Sequence, residues 1–194
     1  MLTLREATYG IYGAWRLAWR DRTAMTWFDR SYAGAIRSFW AGAICYPPFV
    51  VLLLLRLEGP DLQSPAVYRI LLVETIGYVT GWAAYPLLAL PICRWLAPEE
   101  RALGFIIAYN WSQVLQTALL LPIAAVGALH VVPVYTVAYV GTVAYIAILV
   151  YEWFIARIAL DAGALPATAL VMLDVVVGGL LSQLTVVLSG QSLG

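Results

Sequence analysis

Five long apolar runs take up most of this chain: Ile36–Leu57, Ala66–Leu96, Leu103–Leu129, Val134–Ile158 and Ala167–Leu188. At about 1.5 Å per helical residue, each is long enough to cross a hydrocarbon core about 30 Å thick. Inside that core every backbone amide must be satisfied by the protein itself, which leaves helices or a closed barrel. Barrel strands alternate apolar and polar residues over about 10 positions, and Phe49–Leu55 shows no alternation. The chain reads as an all-α membrane protein, a five-transmembrane-helix bundle.

Composition agrees. Charged residues are 11% of the chain, against a usual share of about 25%. Five spans leave only short loops and one longer N-terminal stretch, so the chain divides into an arm over 1–35 and a five-span domain over 36–194. No extramembrane domain is left to house a soluble active site. Net charge is zero, which gives no reason to expect nucleic acid. Lys is absent; such an Arg-only bias suits GC-rich coding and a bacterial source. Cys45 and Cys93 fall inside spans without a CxxC, as small packing residues do. His130 stands alone, so neither a metal site nor a cofactor is expected. Arg5 and Glu6 interrupt the first residues and no short apolar stretch follows them, so the first span is expected to serve as its own insertion signal.

Arg5, Arg16, Arg20, Arg22, Arg30 and Arg37 precede or open the first span. The positive-inside rule then places the N-terminus in the cytoplasm of a bacterial inner membrane and, after five crossings, the C-terminus outside. The turns near Arg94, Arg101 and Arg157 become cytoplasmic; the loops 58–65 and 130–133 become external, with Arg56 and Arg69 opposing the rule. Within the arm, Ile11, Tyr12, Trp15 and Trp19 recur at helical spacing on one face, with Arg16 and Arg20 beside them. That pattern predicts an N-terminal amphipathic interfacial helix, with Trp15, Arg16, Trp19 and Arg20 at the lipid interface. It serves as an anchor, or as a surface that docks a partner or reads anionic lipid. Thr26 and Asp29 form a capping-box-like pair for a second short segment.

Polar residues interrupt the runs at Glu74, Asn110, Gln113, Gln116, Glu152, Asp174 and Gln183. An ionisable group at depth costs at least about 2.5–3.5 kcal/mol, so such groups face the bundle interior and pair. Counting from the span ends puts Asn110, Glu152 and Asp174 about 9–12 Å below the cytoplasmic surface. One cluster is therefore expected: Asn110, Gln113, Glu152, Arg157 and Asp174, with Arg157 as counter-ion to one or both acids. Asn110, Gln113 and Thr117 make an inward stripe. Glu74 is a separate polar group toward the external side, with Arg56 as a candidate partner and Tyr78, Tyr135 and Tyr139 at its level. Pro86 and Pro91 predict a kink or local opening in the second span.

The stretch Phe105–Gln116 (FIIAYNWSQVLQ), followed by WFIAR at Trp153–Arg157, resembles small membrane proteins of alphaproteobacteria. The layout, an arm and five closely spaced spans, is similar to the Yip family. That resemblance implies a non-enzymatic protein of membrane organisation and trafficking. The DLYGP-like motif of that family is absent, and no functional residue carries over.

Two function classes follow. The first is a non-enzymatic scaffold or accessory subunit, whose partners are membrane lipids and another membrane protein or a second copy. The alternative is a small transporter or channel built on the buried polar cluster. No nucleophile–base pair, phosphate loop or metal motif accompanies the acids, so catalytic residues are not assigned and enzyme activity is disfavoured.

Overall fold

The structure, a computed structural model, describes residues 2–57 and 66–190. The loop expected over 58–65 and the last four residues lie outside the described residues, as does the Arg56 side chain. All regular structure among the described residues is helical. The helices are α1 (Leu4–Ala18), α2 (Tyr32–Ser38), α3 (Trp40–Arg56), α4 (Ala66–Leu96), α5 (Glu99–Ala128), α6 (Val134–Leu160) and α7 (Ala164–Ser189), with a short 3-10 helix over Arg22–Trp27. Five of these segments are long and apolar enough to cross a membrane: α2 running into α3, then α4, α5, α6 and α7.

The helices outrun the apolar runs because charged residues complete their ends. Glu99 and Glu100 open α5 and complement its dipole, with Pro98 as the residue just before the helix. Arg157 lies in the last turn of α6, and Asp161 turns left-handed to end it. At the opposite end Arg69 donates to the Leu188 carbonyl at 2.9 and 2.7 Å, so this basic residue closes the last turn of α7. Helix α4 runs through Pro86 and Pro91 as one element.

Short connections make consecutive helices antiparallel. α4, α5, α6 and α7 close a ring in which each packs on the next and α7 returns to α4. α3 packs outside the ring on α5. The close-packed core lies toward the end that carries Arg94 and Arg101. There Phe105, Ile106, Ile107 and Trp111 of α5 meet Ala89 and Cys93 of α4, Ile155 and Ala159 of α6, and Leu170 of α7. Leu53, Leu57, Val67 and Ile70 form a smaller core at the other end.

The arm completes the main core. Thr3 and Glu6 cap α1 reciprocally. Its small residues Ala7, Gly10, Gly13 and Ala14 face inward together with Leu17, while Tyr12, Trp15 and Trp19 stay exposed. Gly10 lies against Trp111 so closely that a Cβ there would be 2.4 Å from the indole, and Tyr151 of α6 donates to the Ala14 carbonyl at 2.7 Å. The 3-10 helix folds back to set Trp27 edge-on to Tyr12 at 4.9 Å. The pair Thr26 and Asp29 does not open a helix, because Thr26 belongs to the 3-10 turn. Ser31 caps α2 instead, and Asp29 binds the Ser31 amide and Arg37.

Ion pairs lace the arm: Arg16 with Asp21, and Arg37 with Glu6 at 3.0 Å and Asp29 at 2.6 Å. Hydrogen bonding from the Thr3 backbone, helped by the Arg37 charge, holds Glu6 below its ordinary 4.5. The Thr23 hydroxyl and amide do the same for Asp21 relative to 3.8. Both folded values are depressed, so these groups stabilise the arm above those ordinary values and cease to do so as pH falls through the lowered ones. A spin label at the exposed Thr8 is expected to gain mobility on acidification from pH near 6 toward 3. In Glu6→Gln it is expected to be more mobile at pH 6 already, with a smaller acid response. An unchanged line shape throughout would contradict this.

Candidate functional site

The ring encloses a chain of polar side chains. Tyr109 of α5 donates to Asp174 Oδ1 of α7 at 2.7 Å. Gln116, two turns further along α5, donates to Glu152 Oε1 of α6 at 2.9 Å. Its amide also lies 3.3 Å from the Ser112 hydroxyl, which donates to the Tyr109 carbonyl at 2.7 Å. Gln113 lies near Glu152 as well. The Glu152 and Asp174 carboxyls neighbour each other inside the ring. On α4, Tyr85 donates to the Leu170 carbonyl of α7 at 3.2 Å and packs its ring 4.4 Å from that of Tyr109.

Glu152 is 5% exposed, and its Oε2 receives no donor among the described residues. An orphaned acceptor beside a second acceptor-only group is a costly arrangement for two charged carboxylates in an apolar interior. A proton shared between the pair would supply the missing donor and remove one charge.

Of the expected cluster, the structure therefore brings together Gln113, Glu152 and Asp174. Asn110 is fully buried one turn away but faces outward from the ring, donating to the Ser38 hydroxyl at the end of α2 at 2.8 Å. Its stripe mate Thr117 lies near Cys45 of α3, whose thiol donates to the Gln113 carbonyl at 3.9 Å. The stripe of Asn110 and Thr117 thus seats α2 and α3 on the ring, while Tyr109, Gln113 and Gln116, at spacings of four and three, line its interior. Tyr109 is the residue that sequence reasoning missed, and Gln116, expected to face the interior, stands outside the expected cluster. Their signal was present as a second helical stripe displaced by one residue from the chosen one. The site also lies deeper than expected, about 12–17 Å from the arginine-rich helix ends, because α5, α6 and α7 extend beyond the apolar runs.

Arg157 is not the counter-ion. It is exposed on the outside of α6, with its guanidinium 5.0 Å from the Trp153 ring centre and directed to the Ala162 carbonyl at 3.4 Å. Its position in the last turn of α6 suits the helix dipole and the turn into α7, which outcompete a partner two turns deeper. Arg157→Ala is expected to shift stability by no more than about 0.5 kcal/mol, as at other surface positions, rather than the about 3–5 kcal/mol of a broken buried pair. Thermal unfolding in detergent measures this; a loss in the larger range would restore the ion pair.

Glu74 is half-buried on α4 and engaged in a contact of its own. Tyr78 is not at the outer level: it donates to the Gly42 carbonyl near the start of α3 at 2.6 Å, and Tyr135 and Tyr139 are exposed. Trp15 and Trp19 stack edge-on at 5.7 Å on the outer side of the arm, Arg16 binds Tyr12 and Asp21, and Arg20 is exposed with a left-handed backbone, φ 59°.

A cleft of about 240 Å³ lies between α4 and α5. Gly77, Tyr78, Gly81 and Trp82 wall it, and Gln113 and Tyr109, which donates to Asp174, form the rest of its lining. No group of three potential metal ligands occurs among the described residues. Comparison of the chain with known protein families, curated proteins and solved structures finds no match.

Proposed function

We propose that this chain is a proton-linked small transporter of a bacterial inner membrane, with Glu152 and Asp174 as its proton-binding pair. The observation that supports it is a carboxyl pair inside a helix ring, Glu152 buried and Asp174 half-buried, with an acceptor that lacks a donor and no arginine of the described residues bonded to either acid. Intramembrane acids of this kind serve proton and ion pathways. The α4–α5 cleft offers a small solute contact with Tyr109, the side chain that donates to Asp174, so solute binding and protonation would compete for the same hydrogen bond. Proteoliposomes with an internal pH dye test this. Wild type is expected to dissipate an imposed proton gradient, and Glu152→Gln or Asp174→Asn to hold it; a wild type as tight as empty liposomes would sink the reading. A Cβ at Gly81 would meet no atom within 4 Å. Gly81→Leu is therefore expected to fill the cleft, keep the thermal stability and abolish the dissipation.

A scaffold or accessory role, Yip-like in its layout, has one supporting observation: the exposed aromatic edge of Tyr12, Trp15 and Trp19 on a firmly docked arm. A partner protein or a second copy would co-purify with wild type and be lost with Trp15→Ala/Trp19→Ala. The gathering of Arg30, Arg37, Arg94 and Arg101 at one end supports a cytoplasmic N-terminus. A reporter fused after Gly194 is then expected to work only outside the cytoplasm.

A further inference from the structure

On the outer flank of the ring, α1, α5 and α6 leave a groove of about 460 Å³. Trp15 forms its arm wall, Leu119 its α5 wall, and Ala147 and Ile148 its α6 wall. Two polar side chains reach it, and both are committed: the Gln116 amide donates to Glu152 and the Tyr151 hydroxyl to the Ala14 carbonyl. A groove whose donors are already used takes hydrocarbon in preference to a polar solute. Charge gathers just beyond its arm wall. One turn after Trp15 come Trp19 and Arg20, where the chain leaves the helix, and then Arg22. Asp21 neutralises Arg16, whereas Arg20 and Arg22 are exposed and form no ion pair among the described residues.

We propose that the groove holds one acyl chain of an anionic glycerophospholipid, with its phosphate against Arg20 and Arg22. Tryptophan at the headgroup level beside a guanidinium is the pairing that the water–lipid boundary favours. The groove shares Gln116 with the acid pair, but neither acid lines it. A bound lipid would cover the exposed edge of Trp15 and tie the arm to α6, so the arm would read the charge of its own leaflet.

Native mass spectrometry of the full chain, with phosphatidylglycerol and phosphatidylcholine of identical acyl chains, tests the proposal. Wild type is expected to retain one phosphatidylglycerol in preference to phosphatidylcholine. Arg20→Ala/Arg22→Ala is expected to lower phosphatidylglycerol retention roughly 30-fold, at about fivefold for each basic side chain, and to leave phosphatidylcholine unchanged. Ala147→Trp, at an exposed groove position, is expected to lower retention of both lipids. Equal retention of the two lipids by wild type would overturn the headgroup assignment. Undiminished phosphatidylglycerol retention in Ala147→Trp would overturn the groove. Displacement of the lipid by inorganic phosphate alone would reassign the arginines to a soluble anion.

Discussion

Gly10→Leu is expected to detach the arm from an otherwise intact bundle. The first added carbon would fall 2.4 Å from Cδ2 and Cε2 of Trp111, a ring only 4% exposed. The indole cannot retreat: it lies in the close-packed stretch of α5 that also holds Ile107 and Phe105. Leucine meanwhile favours the helix over glycine by close to 1 kcal/mol, so α1 itself is not weakened. Helix and docking are thereby separated. Overpacking typically costs about 1–3 kcal/mol, which corresponds to roughly 10- to 100-fold more undocked arm. A cysteine placed at Leu17, fully buried in the docked state, reports this once Cys45 and Cys93 are replaced. Its labelling by a water-soluble maleimide is expected to accelerate by that factor in Gly10→Leu. An unchanged rate would mean that Trp111 has another rotamer to occupy and that the arm does not depend on this contact.

The second large effect divides stability from function at the acid pair. Asp174→Asn supplies an amide N–H where the shared proton would be, so the hydrogen bonding of Glu152 is preserved with one fewer titratable group. Its stability cost is expected to stay below about 1 kcal/mol, in line with the modest worth of interhelical hydrogen bonds in membranes, while proton movement is lost altogether. Glu152→Ala behaves differently. It leaves the Gln116 amide with only the Ser112 hydroxyl at 3.3 Å and opens a void, at about 1–3 kcal/mol for the one unmet N–H alone. If a bound cation rather than a proton held the acids together, Asp174→Asn would instead be the damaging change. Thermal unfolding of both variants in detergent, beside the gradient assay, distinguishes the two.

The five spans were legible because length and hydropathy are set by the bilayer, and five helices long and apolar enough to cross one are present. The meeting of Glu152 and Asp174 was legible from their depth, since antiparallel neighbours place residues equally far from a shared end at one level. Which face of α5 they meet was not. Asn110 and Gln116 are both polar and buried, and only the packing of α2 and α3 on one side decides that Asn110 serves Ser38 and Gln116 serves Glu152. Arg157 was misplaced because charge complementarity alone ignores the competing demands of a helix terminus and an aromatic neighbour. The arm's aromatic face was read as its anchoring face. The inward contact is made by glycine and alanine, whose small size permits close backbone approach yet leaves almost no mark on a hydropathy pattern.

The shared proton is most directly tested by infrared spectroscopy of the reconstituted protein at neutral pH. Wild type is expected to show the C=O stretch of one protonated carboxylic acid per chain, shifted in D2O and missing from Glu152→Gln/Asp174→Asn. A wild-type spectrum without that band would mean that both acids are ionised, and would contradict the proton-sharing pair.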